Sequence, residues 1–194
     1  MKKGLVAAAA AASLLAFAAV GLAITNGGPD GNGHPEVGAL LAPHAYSDGT
    51  WEACSGTLIS PTVFLTAAHC DEGVSRVAVT FDSVDDAKTG AAAEGRRVTM
   101  GAGGATFHSA DIRYVATGSV SALTKAWIRA SMNPSTGDGG TCYGDSGGPN
   151  FLGDTNIVAG TTITGDFVCR ATNVDYRMDT ESARSFLGQY VTLP

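Results

Sequence analysis

Hydrophobic residues along this chain fall into short runs rich in β-branched side chains, separated by Gly, Pro, Asp and Ser. Short runs with turn residues between them predict β-strands and an all-β barrel or sandwich. After Thr180, a good N-cap residue, hydrophobic positions recur at helical spacing, which predicts one helix from about Glu181 to Tyr190. The predicted strands are Val37–Ala42, Cys54–Ile59, Val63–Thr66, Arg76–Phe81, Arg97–Met100, Ile112–Thr117, Ile157–Ile163 and Thr172–Met178.

The first 23 residues have the pattern of a signal peptide. Lys2 and Lys3 precede an apolar stretch that runs to Ala23, where small residues occupy the positions that a signal peptidase recognises. A membrane anchor is the alternative, because the stretch is nearly long enough to span a bilayer. Its Ala-rich composition and cleavage-like end favour removal. We therefore expect a secreted, extracellular protein that starts at Ile24 and has no membrane association after cleavage.

Chain length and net charge further restrict the number of domains and the kinds of partner that are expected. Removing residues 1–23 from the 194 leaves 171, enough for a single domain with a sizeable core. The formal net charge of −6 becomes −8 without Lys2 and Lys3. A surface this acidic argues against nucleic acid or anionic membrane as a partner.

An even number of cysteines in an exported chain implies disulfide bonds. The residues alone leave open which of the three possible pairings forms. No Cys or His cluster has the spacing of a metal site, so we expect neither a metal nor another cofactor. The cysteines are Cys54, Cys70, Cys142 and Cys169.

Two motifs carry the candidate chemistry. Residues 144–149 read GDSGGP, which places Ser146 on a tight Gly-rich turn where its hydroxyl can reach a substrate. The amides of Gly144 and Ser146 could together stabilise the oxyanion that forms when a serine attacks a carbonyl. Upstream, residues 66–70 read TAAHC and supply His69 as the base that a serine nucleophile needs. A Gly-rich surface turn and an unrelated core histidine are the alternative, which does not account for both motifs in this order.

In these motifs and their order, most of the chain after residue 23 resembles the chymotrypsin/trypsin-like (S1) serine proteases, and the short secreted bacterial members among them. The resemblance implies a double β-barrel with a C-terminal helix, a protein or peptide substrate, and a monomer. It also implies the disulfides Cys54–Cys70 and Cys142–Cys169. The cleaved amine of Ile24 would pair with Asp145 and thereby hold the Gly144 amide in place.

The chain departs from this family where the third catalytic residue should lie. Only 77 positions separate His69 from Ser146, and the strand that normally carries the orienting aspartate does not occur between them. Asp111 is followed by isoleucine, as that aspartate is, but its flanks resemble the second barrel. We therefore keep Asp111 as the candidate third member and expect it to lie away from the imidazole.

The shortened spacing predicts a deletion between roughly Asp82 and Arg97 and an incomplete first barrel. The expected domain then spans residues 24–194, with a truncated first barrel over 24–95. Residues 96–194 would form the second barrel and the helix.

The resemblance also places the substrate pocket. Six positions before the nucleophile lies Gly140, where trypsin-like enzymes have an aspartate, so a Lys or Arg preference is not supported. Ile163, Thr164 and Gly165 would face the substrate backbone, and Val174 would make the opposite wall shallow. We expect small or apolar side chains to fit best.

Three hypotheses follow for the function. The first is a secreted serine endopeptidase that forms an acyl-enzyme on Ser146 with His69 as general base. The second is a catalytically impaired homologue that binds peptide or protein through the remaining cleft. The third is a deletion product that does not fold stably.

Overall fold

The computed structural model describes residues 24–47, 50–83, 96–101, 104–109 and 112–194; of 96–101 and 104–109 only the backbone is considered. The predicted signal peptide and Asp111 lie outside these residues. The described chain is almost entirely β-structure. Its strands are β1 Gly28–Pro29, β2 Val37–Leu41, β3 Glu52–Ser60, β4 Val63–Leu65, β5 Ala78–Thr80, β6 Arg96–Gly101, β7 Gly104–Ser109, β8 Tyr114–Val115, β9 Ser119–Leu123, β10 Trp127–Ser131, β11 Pro149–Phe151, β12 Val158–Gly165 and β13 Thr172–Arg177.

Each strand predicted from the sequence overlaps an observed strand, although the run Ile112–Thr117 forms only the short β8. The prediction missed five strands, of which β9 and β10 are the longest that belong to a larger sheet. All residues of β9 are exposed, and Val120 is its one β-branched hydrophobic residue, so no β-branched run marks the strand. Segment β9 is a strand because its backbone pairs with β10, and this pairing cannot be recognised from a local stretch of sequence.

Two antiparallel sheets form the body of the molecule. In the part of the first barrel that the structure describes, β4, β3, β2 and β5 form a curled half-barrel. The second sheet has the order β11-β12-β13-β10-β9. This architecture, with one C-terminal helix, is that of a chymotrypsin-like fold whose first barrel is incomplete, as predicted.

The helix α1, Glu181–Leu187, begins where the sequence indicated. The hydroxyl of Thr180 accepts a 3.1 Å hydrogen bond from the amide of Ala183, which satisfies one of the free donors of the first turn. Ala183 and Leu187 are buried, so one face of the helix is covered. No helix within the described ranges is long and apolar enough to cross a membrane.

The hydrophobic core is small and lies close to the two motifs. One cluster in the first barrel consists of Leu40, Cys54, Ala67 and Cys70, with Ile163 of β12 packed against it. A second cluster joins Met132 to the Cys142–Cys169 disulfide. The first cluster therefore links the half-barrel to a strand of the other sheet, and both motifs adjoin a disulfide.

Candidate active site

The loop that carries Ser146 is fixed on its C-terminal side by β12 of the second sheet. The amide of Gly147 donates to the carbonyl of Thr162 at 2.8 Å, and the amide of Thr162 donates to the carbonyl of Gly148 at 2.9 Å. Before the serine, the disulfide Cys142–Cys169 attaches the loop to the segment that precedes β13. The GDSGGP sequence therefore forms a tight turn on β12, with Ser146 partly exposed at its tip.

Two backbone donors in this loop are free within the described part of the chain. Neither the amide of Gly144 nor that of Ser146 donates a hydrogen bond there, whereas the intervening amide of Asp145 donates to the carbonyl of Cys142 at 3.2 Å. Gly144 has φ +96°, a conformation that glycine adopts readily. These two amides are the ones that the sequence assigns to an oxyanion.

Asp145 is buried directly behind the serine. Its side chain is 6% exposed, and its Oδ2 accepts a 2.6 Å hydrogen bond from the amide of Cys142. The predicted start of the mature chain lies along the same segment. Thr25 and Gly140 exchange both backbone hydrogen bonds, at 2.9 and 3.0 Å. Ile24, one residue earlier, therefore lies beside the segment that leads into the loop.

The histidine lies on a single turn of 3-10 helix, Ala68–Cys70, at the end of the half-barrel. The disulfide Cys54–Cys70 fixes this turn to β3. A nitrogen of the exposed His69 imidazole lies within 4.8 Å of both sulfur atoms. Metal binding by this group would need free thiolates, and the disulfide removes them.

The serine loop and the histidine turn are in direct contact through their backbones. The amide of Ser55 on β3 donates to the carbonyl of Ser146 at 2.8 Å, and the Sγ of Cys70 lies 3.7 Å from the same oxygen. A Cβ on Gly147 would lie only 2.1 Å from the Oγ1 of Thr66. The structure therefore brings the segments of His69 and Ser146 together, although no hydrogen bond joins these two side chains.

No carboxylate of the described residues hydrogen-bonds to His69. Asp82, at the edge of the predicted deletion, accepts a 2.8 Å hydrogen bond from the hydroxyl of Thr80. Asp85, Asp86 and Asp111 lie outside the described residues. The identity of the orienting residue therefore stays a prediction.

A cavity of about 120 Å³ opens beside Ser146. Ile163, Thr164 and Gly165, which the sequence assigned to a substrate pocket, line it. Its other lining residues come from the serine loop, from β12 and from the turn between β12 and β13. They are Thr141, Cys142, Tyr143, Thr162, Asp166 and Cys169.

Two residues assigned to the pocket from the sequence do not line this cavity. A Cβ on Gly140 would lie 2.6 Å from the Cγ of Met132, so Gly140 packs on the core of the second barrel. Val174 is half-buried on β13, opposite Thr164. Asp138, two positions before Gly140, is not in the lining; its Oδ1 and Oδ2 accept hydrogen bonds from the hydroxyls of Ser119 and Thr136, each at 2.7 Å.

The electrostatic character of the cavity comes from Asp166 and from a carboxyl behind the wall. Burial alone would raise the pKa of Asp166, but hydrogen bonds from the amides of Thr172, Ala171 and Arg170 hold it below its ordinary value. Asp175 is only 1% exposed. Burial raises its pKa to about 7, against weaker opposing hydrogen bonds from Asn173 and Thr162. Nothing in the sequence pattern distinguishes Asp175 from a surface residue of a strand.

Comparison with known proteins bears on part of this arrangement. Residues 42–100 match the family model of trypsin. No curated protein matches the chain. The matched region includes His69 and both cysteines of the first disulfide, and it ends before the serine loop. Strands β3, β4 and β5 of the half-barrel and the histidine turn are therefore similar to the trypsin family, which supports a trypsin-like serine protease.

Proposed function

We propose that this protein is a secreted serine endopeptidase. In this proposal Ser146 attacks the carbonyl of a peptide bond, His69 takes its proton, and the amides of Gly144 and Ser146 bind the resulting oxyanion. The observation that carries the proposal is the hydrogen bond from the amide of Ser55 to the carbonyl of Ser146. It supports the proposal because it attaches the nucleophile loop to the strand whose disulfide holds the histidine turn.

The free amides of Gly144 and Ser146 support the same function. An oxyanion site needs preorganised donors, and donors already used within the protein cannot serve. We further propose that cleavage before Ile24 releases the amine that pairs with Asp145. Its support is the Thr25–Gly140 pairing, which brings Ile24 beside the loop. N-terminal sequencing of secreted protein should begin at Ile24, and a start several residues away would remove this pairing.

The proposed site set contains His69, Ser146, Gly144 and Asp145, with Asp111 as the candidate orienting residue. The pocket contains Ile163, Thr164 and Gly165, and it takes small side chains. Its cavity of about 120 Å³ is somewhat smaller than a cavity of roughly 150 Å³ that accepts benzene. The substrate is protein or peptide, and the enzyme acts as a monomer without a metal or cofactor.

A fluorophosphonate probe tests this function, because it labels only an activated serine. We expect labelling of the wild-type protein and loss of labelling in Ser146→Ala and His69→Ala. Ser135→Ala, an exposed serine in the turn after β10, is the matched control and should label like the wild type. Absence of wild-type labelling in folded protein with both disulfides formed would overturn the proposal.

A catalytically impaired homologue that binds peptide is the second candidate. The observation that favours it is that no carboxylate in the described ranges orients His69. Without such a group a serine protease loses about 10⁴-fold in rate. This candidate agrees with the proposed deletion between Asp82 and Arg97, which would have removed the aspartate. It predicts peptide binding by a protein that the probe does not label.

A further inference from the structure

The interior of the second barrel contains polar side chains where a hydrophobic core is usual. Among the described residues, the largest fully buried side chains are those of Met132, Asn173, Thr162 and Asp175. Burying a polar group costs free energy unless it is hydrogen-bonded, so the bonds among these side chains constrain how each is oriented. The same hydrogen bonds also orient side chains in the wall of the cavity beside Ser146.

The carboxyl group of Asp175 determines how the side-chain amides in this network are oriented. Its Oδ1 accepts hydrogen bonds from the Nδ2 of Asn173 at 2.7 Å and from the Nδ2 of Asn150 at 2.8 Å. An amide that directs its NH₂ group to a carboxyl must direct its carbonyl oxygen elsewhere. The Nδ2 of Asn173 also donates to the Oδ1 of Asn150 at 3.2 Å, which fixes the amide of Asn173 twice.

The carbonyl oxygen of Asn173 faces Thr141, a residue of the cavity wall. The hydroxyl of Thr141 donates to this oxygen at 2.7 Å. A hydroxyl has one proton, so Thr141 can present only lone pairs to a group in the cavity. Its role as an acceptor is therefore decided by Asn173 and, through Asn173, by Asp175.

The hydroxyl of Thr162 is oriented in the same way. It accepts a 2.9 Å hydrogen bond from the Nδ2 of Asn150 and donates to the Oδ1 of Asp175 at 3.4 Å. Asp166 adds an ionised carboxylate, because three backbone amides hold its pKa low. Tyr143 and Thr164 are exposed and belong to the mouth of the cavity. Apart from the proposed nucleophile Ser146, the less exposed polar side chains of the lining, Thr141, Thr162 and Asp166, are thus all acceptors toward the cavity.

We propose that Asn173 is a positioning residue for substrate selection: by fixing the hydroxyl of Thr141 as an acceptor, it makes the cavity favour small side chains that donate a hydrogen bond. Asparagine and threonine would be accepted, and aspartate, which only accepts hydrogen bonds when ionised, would be rejected. Valine, with the shape of threonine and no donor, would bind less tightly than threonine. The inference rests on the proposed function, since the occupant is the side chain that precedes the scissile bond.

Four peptides that are identical except for a C-terminal asparagine, aspartate, threonine or valine test this selection as product-like ligands. Their affinities, measured by fluorescence anisotropy at pH 7.5, do not depend on catalysis. We expect asparagine to exceed aspartate by roughly 10- to 100-fold, the range for a buried polar group without a partner. Threonine should exceed valine by about threefold or more. Equal affinities within both pairs, or no binding by any peptide, would overturn the proposal.

Variants separate selection from stability. Thr141→Val should abolish the threonine-over-valine preference, whereas Thr62→Val, an exposed threonine in the turn after β3, should keep it. Asn173→Leu, which removes the acceptor for the hydroxyl of Thr141, should reduce the asparagine-over-aspartate ratio. An unchanged ratio in folded Thr141→Val contradicts the inference. If the wild type discriminates as expected but is not labelled by the fluorophosphonate, only the catalytic function fails; labelling without discrimination removes only the inference.

Discussion

The amide of Ser55 and the carbonyl of Ser146 form a 2.8 Å hydrogen bond that joins the half-barrel to the serine loop. The hydroxyl of Ser55 lies at hydrogen-bond distance from two further acceptors, 3.1 Å from the carbonyl of Gly144 and 2.8 Å from the Oε1 of Glu52. Ser55 therefore touches the loop on both sides of Asp145. The relative position of His69 and Ser146 is set by this backbone attachment, not by a bond between their side chains.

Gly147→Ala should destabilise the protein strongly because it disrupts this attachment. Gly147 has φ +85°, and a Cβ there would lie 2.4 Å from the carbonyl oxygen of Ser55 and 2.7 Å from the amide of Ala67. These are backbone atoms that cannot rotate away. We expect the free energy of unfolding to fall by about 3 kcal/mol or more in urea denaturation, above the cost of a left-handed residue alone.

Gly153→Ala is the matched control for that variant. Gly153 has φ +54°, and a Cβ there would meet no atom within 4 Å. Its substitution should lower the free energy of unfolding only by the cost of placing an alanine in a left-handed backbone conformation, about 1–2 kcal/mol. Equal losses in the two variants would show that the contact between the loop and the histidine segment contributes nothing to stability.

Arg113→Met should also destabilise the protein, through a buried ion pair. The Nε of Arg113 donates to the Oδ2 of Asp30 at 2.9 Å, and the two side chains are only 4% and 3% exposed. Its Nη1 also donates to the carbonyl of Val37 at 2.9 Å. Removing the guanidinium takes away the permanent positive charge beside the buried Asp30 carboxylate and leaves it with the hydrogen bonds from His34, a loss of about 3–5 kcal/mol in chemical denaturation.

A surface pair provides the comparison for Arg113. Arg177 binds Asp179, whose side chain is 67% exposed. Pairs of this kind contribute at most about 1 kcal/mol. Arg177→Met should therefore change the free energy of unfolding far less than Arg113→Met, and a similar loss in both would contradict a special role for the buried pair.

Asp175 should make the protein less stable as the pH rises through neutrality. Its pKa is about 7 in the folded state against 3.8 for an unperturbed aspartate, so between these values the folded state binds more protons than the unfolded state. The free energy of unfolding should then fall by up to roughly 1.4 kcal/mol per pH unit across that window and level off above it. The side chains that face the carboxyl are Asn150, Thr162 and Asn173, all neutral.

Asp175→Asn isolates this contribution because the amide has nearly the same shape and does not titrate. Urea denaturation of both proteins at pH 5 and pH 8 should show a smaller loss with pH in the variant. Equal pH dependence in the two proteins would mean that Asp175 titrates near its ordinary pKa in the folded state.

Asp111→Asn tests whether the chain has a complete triad. If Asp111 orients His69, the amide would favour the wrong imidazole tautomer and cut peptidase activity by about 10⁴-fold with the fold intact. We expect little change, because the flanks of Asp111 resemble the second barrel. Peptide hydrolysis rates, normalised to the concentration of folded protein, distinguish the outcomes, and a large specific loss would restore Asp111 as the third member.

The sequence by itself determined the features that depend on neighbouring residues. The motifs around His69 and Ser146 need only their own glycines and small residues, and the helix start at Thr180 needs only its own capping hydroxyl. Strands with β-branched runs were located to within a few residues for the same reason. The half-barrel also followed from sequence, since the short spacing between the motifs leaves too few residues for a complete first barrel.

Only the tertiary structure decided which face of each strand lies inside. Alternation in β13 would place Val174 and Tyr176 inward, yet Asn173 and Asp175 are buried at 1% exposure each. The register with β12, in which Thr162 pairs with Asp175, fixes this choice, because a shift by one residue would turn every side chain to the other face. The hydrogen bonds that make this polar interior tolerable join residues far apart in the chain, so no local pattern predicts them.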